Sequence, residues 1–264
     1  MSSQHGDFIL SMASDILHEA TMALLPIDDS MMMLKAYDYI LQTAFIKMTG
    51  FLEQKMKCIC WEIASRSYEY RYGTFCDNRI CGFSTYKEKK YVLNDLLKEV
   101  RKYNGNYPID KNVKAAIIST VVDDVKSFYE TSGLSKVYSR QFSVADYFMA
   151  RVKPDHILPG ANTGDITAVE LFIGSIGKEQ RIELKNAKIN LQFAYEEVVY
   201  KHRNRCAHNT ICYQRNNPLI DVVSSADYPF HNYLVRFAIL DLIDNIFVTV
   251  YKEWEKACRH LYAQ

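Results

Sequence analysis

Residues 31–67, MMMLKAYDYILQTAFIKMTGFLEQKMKCICWEIASRS, decide how this chain folds. Leu34, Tyr37, Leu41, Phe45, Met48, Leu52, Met56 and Ile63 recur at helical spacing along one stripe, no proline interrupts them, and only Gly50 weakens the pattern. The spacing predicts a single helix spanning about 55 Å at about 1.5 Å per residue.

Upstream, Phe8, Met12, Ile16 and Ala20 recur every three to four residues and predict one helix from Asp7 to Leu25. Pro26 and the run Asp28-Asp29-Ser30 then supply a stop and a fresh N-cap. Downstream, a break falls at Gly73 to Gly82. Ser84 is placed to cap a helix carrying Tyr91, Val92, Leu96, Leu97 and Val100, which ends in the turn signal Asn104-Gly105-Asn106-Tyr107-Pro108. Asp110 opens another helix through Ile117, Val121, Val125 and Phe128, and Ser143 a shorter one to about Val152.

Two long patterns close the chain. Leu184, Ala187, Leu191, Ala194 and Val198 run into a polar cluster at 201–209, and a polar loop at about 210–229 follows. Leu234, Phe237, Leu240, Ile243, Phe247, Val250 and Trp254 then form a final apolar stripe. There is no convincing alternating strand and no internal repeat, although Ile117–Val122 and Ile220–Val223 are β-branched enough to be locally ambiguous. The expected fold is all-α, a bundle of long antiparallel helices. It is read as one domain over 1–264. The loop from Lys153 to Asp165, with two prolines and two glycines, is the candidate boundary between N-terminal helices (1–152) and a second set (165–264).

The 264 residues are 48% hydrophobic, enough for a sizeable core. Thirty-two Lys and Arg against 31 Asp and Glu leave a net charge of +1, so a polyanion partner must be gripped by a local patch rather than by the whole surface. Six prolines and ten glycines exclude a collagenous or low-complexity chain. No run of eighteen uncharged apolar residues suggests a membrane span. Asp7, Asp15, His18 and Glu19 lie within the first apolar pattern without a basic leader, which is unlike a secretory signal, so a cytoplasmic address is expected. Seven cysteines in such an address read mostly as small buried hydrophobes. Met31-Met32-Met33 and the nineteen tyrosines read as adaptable packing, or, where exposed, as a dimer surface.

The chain has no Gly-rich phosphate loop, His-Glu-x-x-His, Gly-x-Ser-x-Gly or Cys-x-x-Cys. Its densest group of chemically active side chains is His202-Arg203-Asn204-Arg205-Cys206-Ala207-His208-Asn209, where a long amphipathic pattern runs out of apolar positions. An imidazole ordinarily titrates near pH ~6.5 and moves protons at neutral pH, and a guanidinium matches the paired oxygens of a phosphate. Neither role requires a metal or cofactor, and none is expected. Cys206, His208 and Cys212, with His202 nearby, match no common zinc-ligand spacing.

Arg203-Asn204-Arg205-Cys206-Ala207-His208 resembles the Arg-x4-6-His motif of the HEPN superfamily of all-helical ribonucleases, in which a polar residue commonly follows the arginine. A second match to the spacing, Arg151 to His156, crosses Pro154 and has Val152 after the arginine, so it lacks the helical setting. The resemblance covers mainly residues 165–260. It implies a metal-independent endoribonuclease acting in defence or a toxin–antitoxin stress response. Arg203, Asn204 and His208 would be catalytic, two copies would meet across a two-fold axis, and an inhibitory or antitoxin partner would restrain the activity. The substrate's 2′-OH would attack the adjacent phosphorus, leaving a 2′,3′-cyclic phosphate and a 5′-OH. Lys201, His202 and Arg205 are the candidate substrate contacts.

On a regular helix Asn204 and His208 share a face, whereas Arg203 and His208 diverge by about 140°. Joining Arg203 to His208 therefore needs the arginine's long side chain, a helix end near residue 207, or a second subunit. The alternative from another class is a non-catalytic helical module that binds RNA, a nucleotide or a protein. A third reading makes 202–209 an ordinary solvated helix end.

Overall fold

The computed structural model describes residues 4–27, 30–75, 82–105, 107, 111–134, 191–208 and 233–262. Every element among them is helical. In chain order these are α1 (Gln4–Leu10), α2 (Ser14–Leu24), α3 (Ser30–Arg66), α4 (Tyr68–Tyr70), α5 (Tyr86–Tyr103), α6 (Lys111–Thr131), α7 (Leu191–Ala194), α8 (Lys201–His208) and α9 (Tyr233–Tyr262). A π-helical turn, Arg71–Phe75, continues α4, and a second, Tyr195–Tyr200, joins α7 to α8. The long helix predicted from residue 31 is α3, with Tyr37, Phe45, Met48, Leu52, Met56 and Ile63 buried along it. The β-branched stretch Ile117–Val122 is helical, because Ile117 and Val121 fall on the buried stripe of α6. The expected helix from Ser143, the Lys153–Asp165 loop, Ile220–Val223 and the 210–229 loop lie outside the described residues.

The single helix expected over Asp7–Leu25 is instead two, broken at residues 11–13, and the cause is tertiary. The Ala13 N–H donates to Asp244 Oδ2 (2.8 Å) and the Ser11 carbonyl accepts from Lys55 Nζ (2.7 Å). Lys55 Nζ also donates to the other Asp244 oxygen, and neither side chain has measurable exposure. A buried ammonium and carboxylate each lose their hydration. They remain stable only when every charge is matched by a short contact, so the chain opens a helical turn to supply a carbonyl and an amide.

Beside this pair Asp241, also fully buried, receives Asn245 Nδ2 at 3.2 Å on one carboxyl oxygen, while its other oxygen has no hydrogen-bond partner among the described residues. Burial, followed by the neighbouring carboxyl Asp124, holds Asp241 well above the ordinary carboxylate range. Asp124 and Asp244 are raised as well, chiefly by burial.

Helix α5 starts one residue later than the expected Ser84 cap. Thr85 accepts from the Glu88 N–H at 3.3 Å while the Glu88 carboxylate takes the Thr85 N–H at 2.9 Å, a reciprocal capping box. At the end of α6, Gly133 adopts φ +80°, and a Cβ there would meet Tyr37 Oη at 3.1 Å, the same hydroxyl that donates to the Ser132 carbonyl at 2.8 Å. Glycine fits both the left-handed backbone and the close approach.

Helix α9 is the centre of the bundle. Its sequence reads as a single apolar stripe, yet every residue from Tyr233 to Val248 is buried, because α3, α5, α6, α1 and the Tyr195–Tyr200 turn surround it. Burial all round explains why Arg236, Asp241, Asp244 and Asn245 must be accommodated inside. The apolar core runs without interruption from Ile9 to Cys258.

Candidate functional site

Helix α8 is locked by its apolar side. Tyr195, Val198, His202 and Cys206 follow one another at three- and four-residue steps and are all buried, as is Val199. In the π-helical turn Arg236 Nε donates to the Val198 carbonyl (3.1 Å), where the wider winding loosens the regular ladder. Burial pushes the Arg236 guanidinium down to about 10.

His202 was expected to contact substrate and is instead a core residue, 1% exposed. Its ring packs against Phe45 at 5.1 Å and Tyr233 at 5.5 Å between centroids, and Nε2 lies 3.3 Å from Tyr233 Oη and 3.4 Å from Cys206 Sγ. The stripe that holds Val198 continues four residues to His202 and four more to Cys206, so extending it would have placed both inside. Burial raises the Cys206 thiol above its ordinary range, which suits packing rather than nucleophilic attack.

The opposite side of α8 carries the remaining predicted residues. Lys201 and Arg205 are exposed, and Arg203 and Asn204 are half-buried. Arg203 Nη2 donates to Glu53 Oε1 of α3 at 3.1 Å, and Nη1 to its neighbour Asn204 Oδ1 at 3.4 Å. The side chains of Arg203 and Glu53 are 27% and 18% exposed, so the pair sits at the edge of the core with its outer surface wet. Helix α8 includes His208, the last described residue of this segment. The His208 imidazole, Asn209 and Cys212 lie outside the described side chains.

Below Arg203 and Glu53 lies Lys89 of α5, 2% exposed. Its ammonium donates to the carbonyls of Phe83 and, at 3.4 Å, Ser84, and stands 4.9 Å from the centre of the Tyr195 ring. Tyr195 Oη donates to the same Ser84 carbonyl at 2.7 Å. Phe83 holds a left-handed backbone, φ 56°, so a strained turn is pinned from two sides. Burial lowers Lys89 to about 8, opposed by the carboxylates of Glu53 and Glu88 and assisted by Arg203. Burial raises the Tyr195 hydroxyl, again with Glu53 and Arg203 in its field. Arg203, Glu53, Lys89 and Tyr195 therefore form one electrostatic group.

No family model, curated protein or solved structure matches this chain. What the site does must be argued from its own residues.

Glu53 and Lys89 went unnoticed in the sequence because nothing local marks them: each is a charged residue in a helix that has many. Lys55, Asp241 and Asp244 did carry a signal, since each falls at a position where its neighbours' repeat demands an apolar side chain. Among the described residues no group of three or more His, Cys, Asp or Glu is arranged to hold a metal ion.

Proposed function

We propose that the chain is a metal-independent endoribonuclease with a HEPN-like helical bundle, acting in defence or a toxin–antitoxin response. The observation that carries this reading is that α8 turns Arg203 and Asn204 outward on a helix whose rotation is fixed by buried His202 and Cys206. Lys201 and Arg205 flank them on the exposed side.

In this mechanism the 2′ oxygen bonds to phosphorus as its proton leaves, and the P–O5′ bond breaks as the 5′ oxygen gains one. His208 handles these protons, and Asn204, four residues before it, orients the imidazole. Arg203 stabilises the charge gathering on the phosphoryl oxygens, and Glu53 holds the guanidinium in one orientation beforehand, so less freedom is lost when substrate arrives. The 140° between Arg203 and His208 on one helix is met by a second copy, whose motif completes the site. An inhibitory partner restrains the activity in the cytoplasm.

A second reading rests on the same ion pair. Glu53 already balances the charge of Arg203, as in a structural pair, and the chain is then a non-catalytic binding module.

Purified protein incubated with total RNA in EDTA separates the two. Fragments ending in 2′,3′-cyclic phosphate, abolished by Arg203→Ala and by His208→Ala, are expected of the ribonuclease. Intact RNA, or cleavage indifferent to both substitutions, would assign the chain to the binding module, whose RNA binding survives His208→Ala.

A further inference from the structure

The solvent side of α3 changes character along its length. Beyond the Arg203–Glu53 pair it presents Lys57, Trp61 and Ser65, and the next turns add Tyr68 and Tyr72. Exposed helix positions are usually filled by charged or small polar residues. Here Trp61 is 53% exposed, Tyr68 74% and Tyr72 57%. Leu52, Met56, Ile59 and Ile63 hold the opposite side of α3 in the core, so the rings cannot turn inward without rotating the helix.

The rings are organised before any partner arrives. Trp61 meets Phe75 edge-on with centroids 5.0 Å apart, and the Tyr68 and Tyr72 rings meet at 4.4 Å, tilted by 43°. The bend that brings residues 68–75 alongside the end of α3 is strapped by Arg71, whose Nε donates to the Ala64 carbonyl at 2.7 Å and Nη2 to the Ser65 carbonyl at 3.2 Å. These two carbonyls engage part of the guanidinium and leave its charge in place.

The acidic side chains nearby are already matched. Glu62 meets Arg66 at 3.4 Å, and Lys102 lies 3.2 Å from Glu69 and 2.8 Å from Glu99. Lys57 and Arg71 have no ion-pair partner among the described residues. The strip is thus aromatic with surplus positive charge.

We infer that Lys57, Trp61, Tyr68, Arg71 and Tyr72 form a stacking platform for single-stranded RNA. Unpaired bases present flat faces to aromatic rings, which a duplex keeps stacked inside, and phosphates between the bases meet the two cations. Trp61 lies two helical steps from Glu53 through Lys57, about 12 Å along the axis, so a strand seated here runs toward Arg203. The platform rests on the ribonuclease reading only for its use, namely feeding a strand to that site. Its binding is independent of catalysis.

The chain carries its own reporter, because its second tryptophan, Trp254, is 1% exposed. A single-stranded 2′-O-methyl oligouridine, which cannot supply the attacking hydroxyl, is titrated against the full chain while tryptophan fluorescence and probe anisotropy are read. Quenching that saturates with binding is expected, with affinity weakened about tenfold by Trp61→Ala and by Tyr68→Ala. Phe in place of Trp61 should retain most of the affinity, which separates stacking from loss of fold. Binding without quenching, equal binding of the duplex, or affinity unchanged by both alanine substitutions would overturn the platform. So would self-association that Trp61→Ala abolishes with no oligonucleotide bound, since the patch would then join two copies of this chain. Binding with quenching but no cleavage of natural RNA would leave the platform standing and refute the ribonuclease.

Discussion

The guanidinium of Arg203 holds the carboxylate of Glu53, 150 residues earlier in the chain, at 3.1 Å. This one contact ties α8 to α3 at its polar edge, where His202 and Cys206 tie it on the buried side. Neither residue is more than a third exposed, so solvent screening is partial. A double-mutant cycle with Glu53→Ala and Arg203→Ala, read by urea unfolding, should return a coupling of about 0.5–1 kcal/mol. A coupling near zero would mean that Arg203 is not clamped in solution.

Lys55 and Asp244 make the opposite kind of pair, with both charges wholly out of water. Lys55→Met leaves a buried carboxylate without its cation and should cost about 3–5 kcal/mol. Lys55→Met combined with Asp244→Leu removes both charges and should recover much of that loss, the Ala13 amide and the Ser11 carbonyl being the groups left without their partners. Urea midpoints of the two variants give the comparison. A double variant no more stable than the single one would show that the bonds to Ser11 and Ala13, rather than charge balance, dominate.

The Asp124–Asp241 pair predicts the acid side of the pH profile. Asp241 is raised, so above the ordinary carboxylate range the folded chain keeps a proton that the unfolded chain has released. The stabilising effect is therefore complete at low pH and is lost as pH climbs toward the folded value. Asp241→Asn carries a permanent amide there. Relative to that variant, the wild type should lose stability as pH rises above the ordinary carboxylate range, measured as urea midpoints at successive pH values. Parallel profiles would show that burial does not raise the Asp241 carboxyl.

Lys89 predicts the alkaline side with the opposite sign. Its value is lowered to about 8, so above that pH the unfolded chain holds a proton that the folded chain does not, and stability rises with pH. Wild type minus Lys89→Met should show an upward slope from pH 8 to 9.5. The same titration changes the field on Arg203 and Glu53.

Helices α3, α5, α6 and α9 were legible because a helix is built from contacts three and four residues apart, which a linear sequence displays. The Thr85–Glu88 capping box is local in the same sense, and the reading missed it by one residue. Arg203, Asn204, Lys201 and Arg205 were legible as a polar face for the same reason, and so, had the stripe been continued past Val198, was the burial of His202.

What only the tertiary structure decided are the pairings between residues far apart in the chain. No pattern within residues 7–25 announces a break at Ser11–Ala13, because its cause is Lys55 and Asp244. The apolar residues of α9 do not say which helices cover each side, because α1, α3, α5 and α6 come from distant parts of the chain. Nor does the motif around Arg203 name Glu53, Lys89 and Tyr195. Periodicity states which face of a helix is turned inward, and only packing selects which side chains of other helices meet it there.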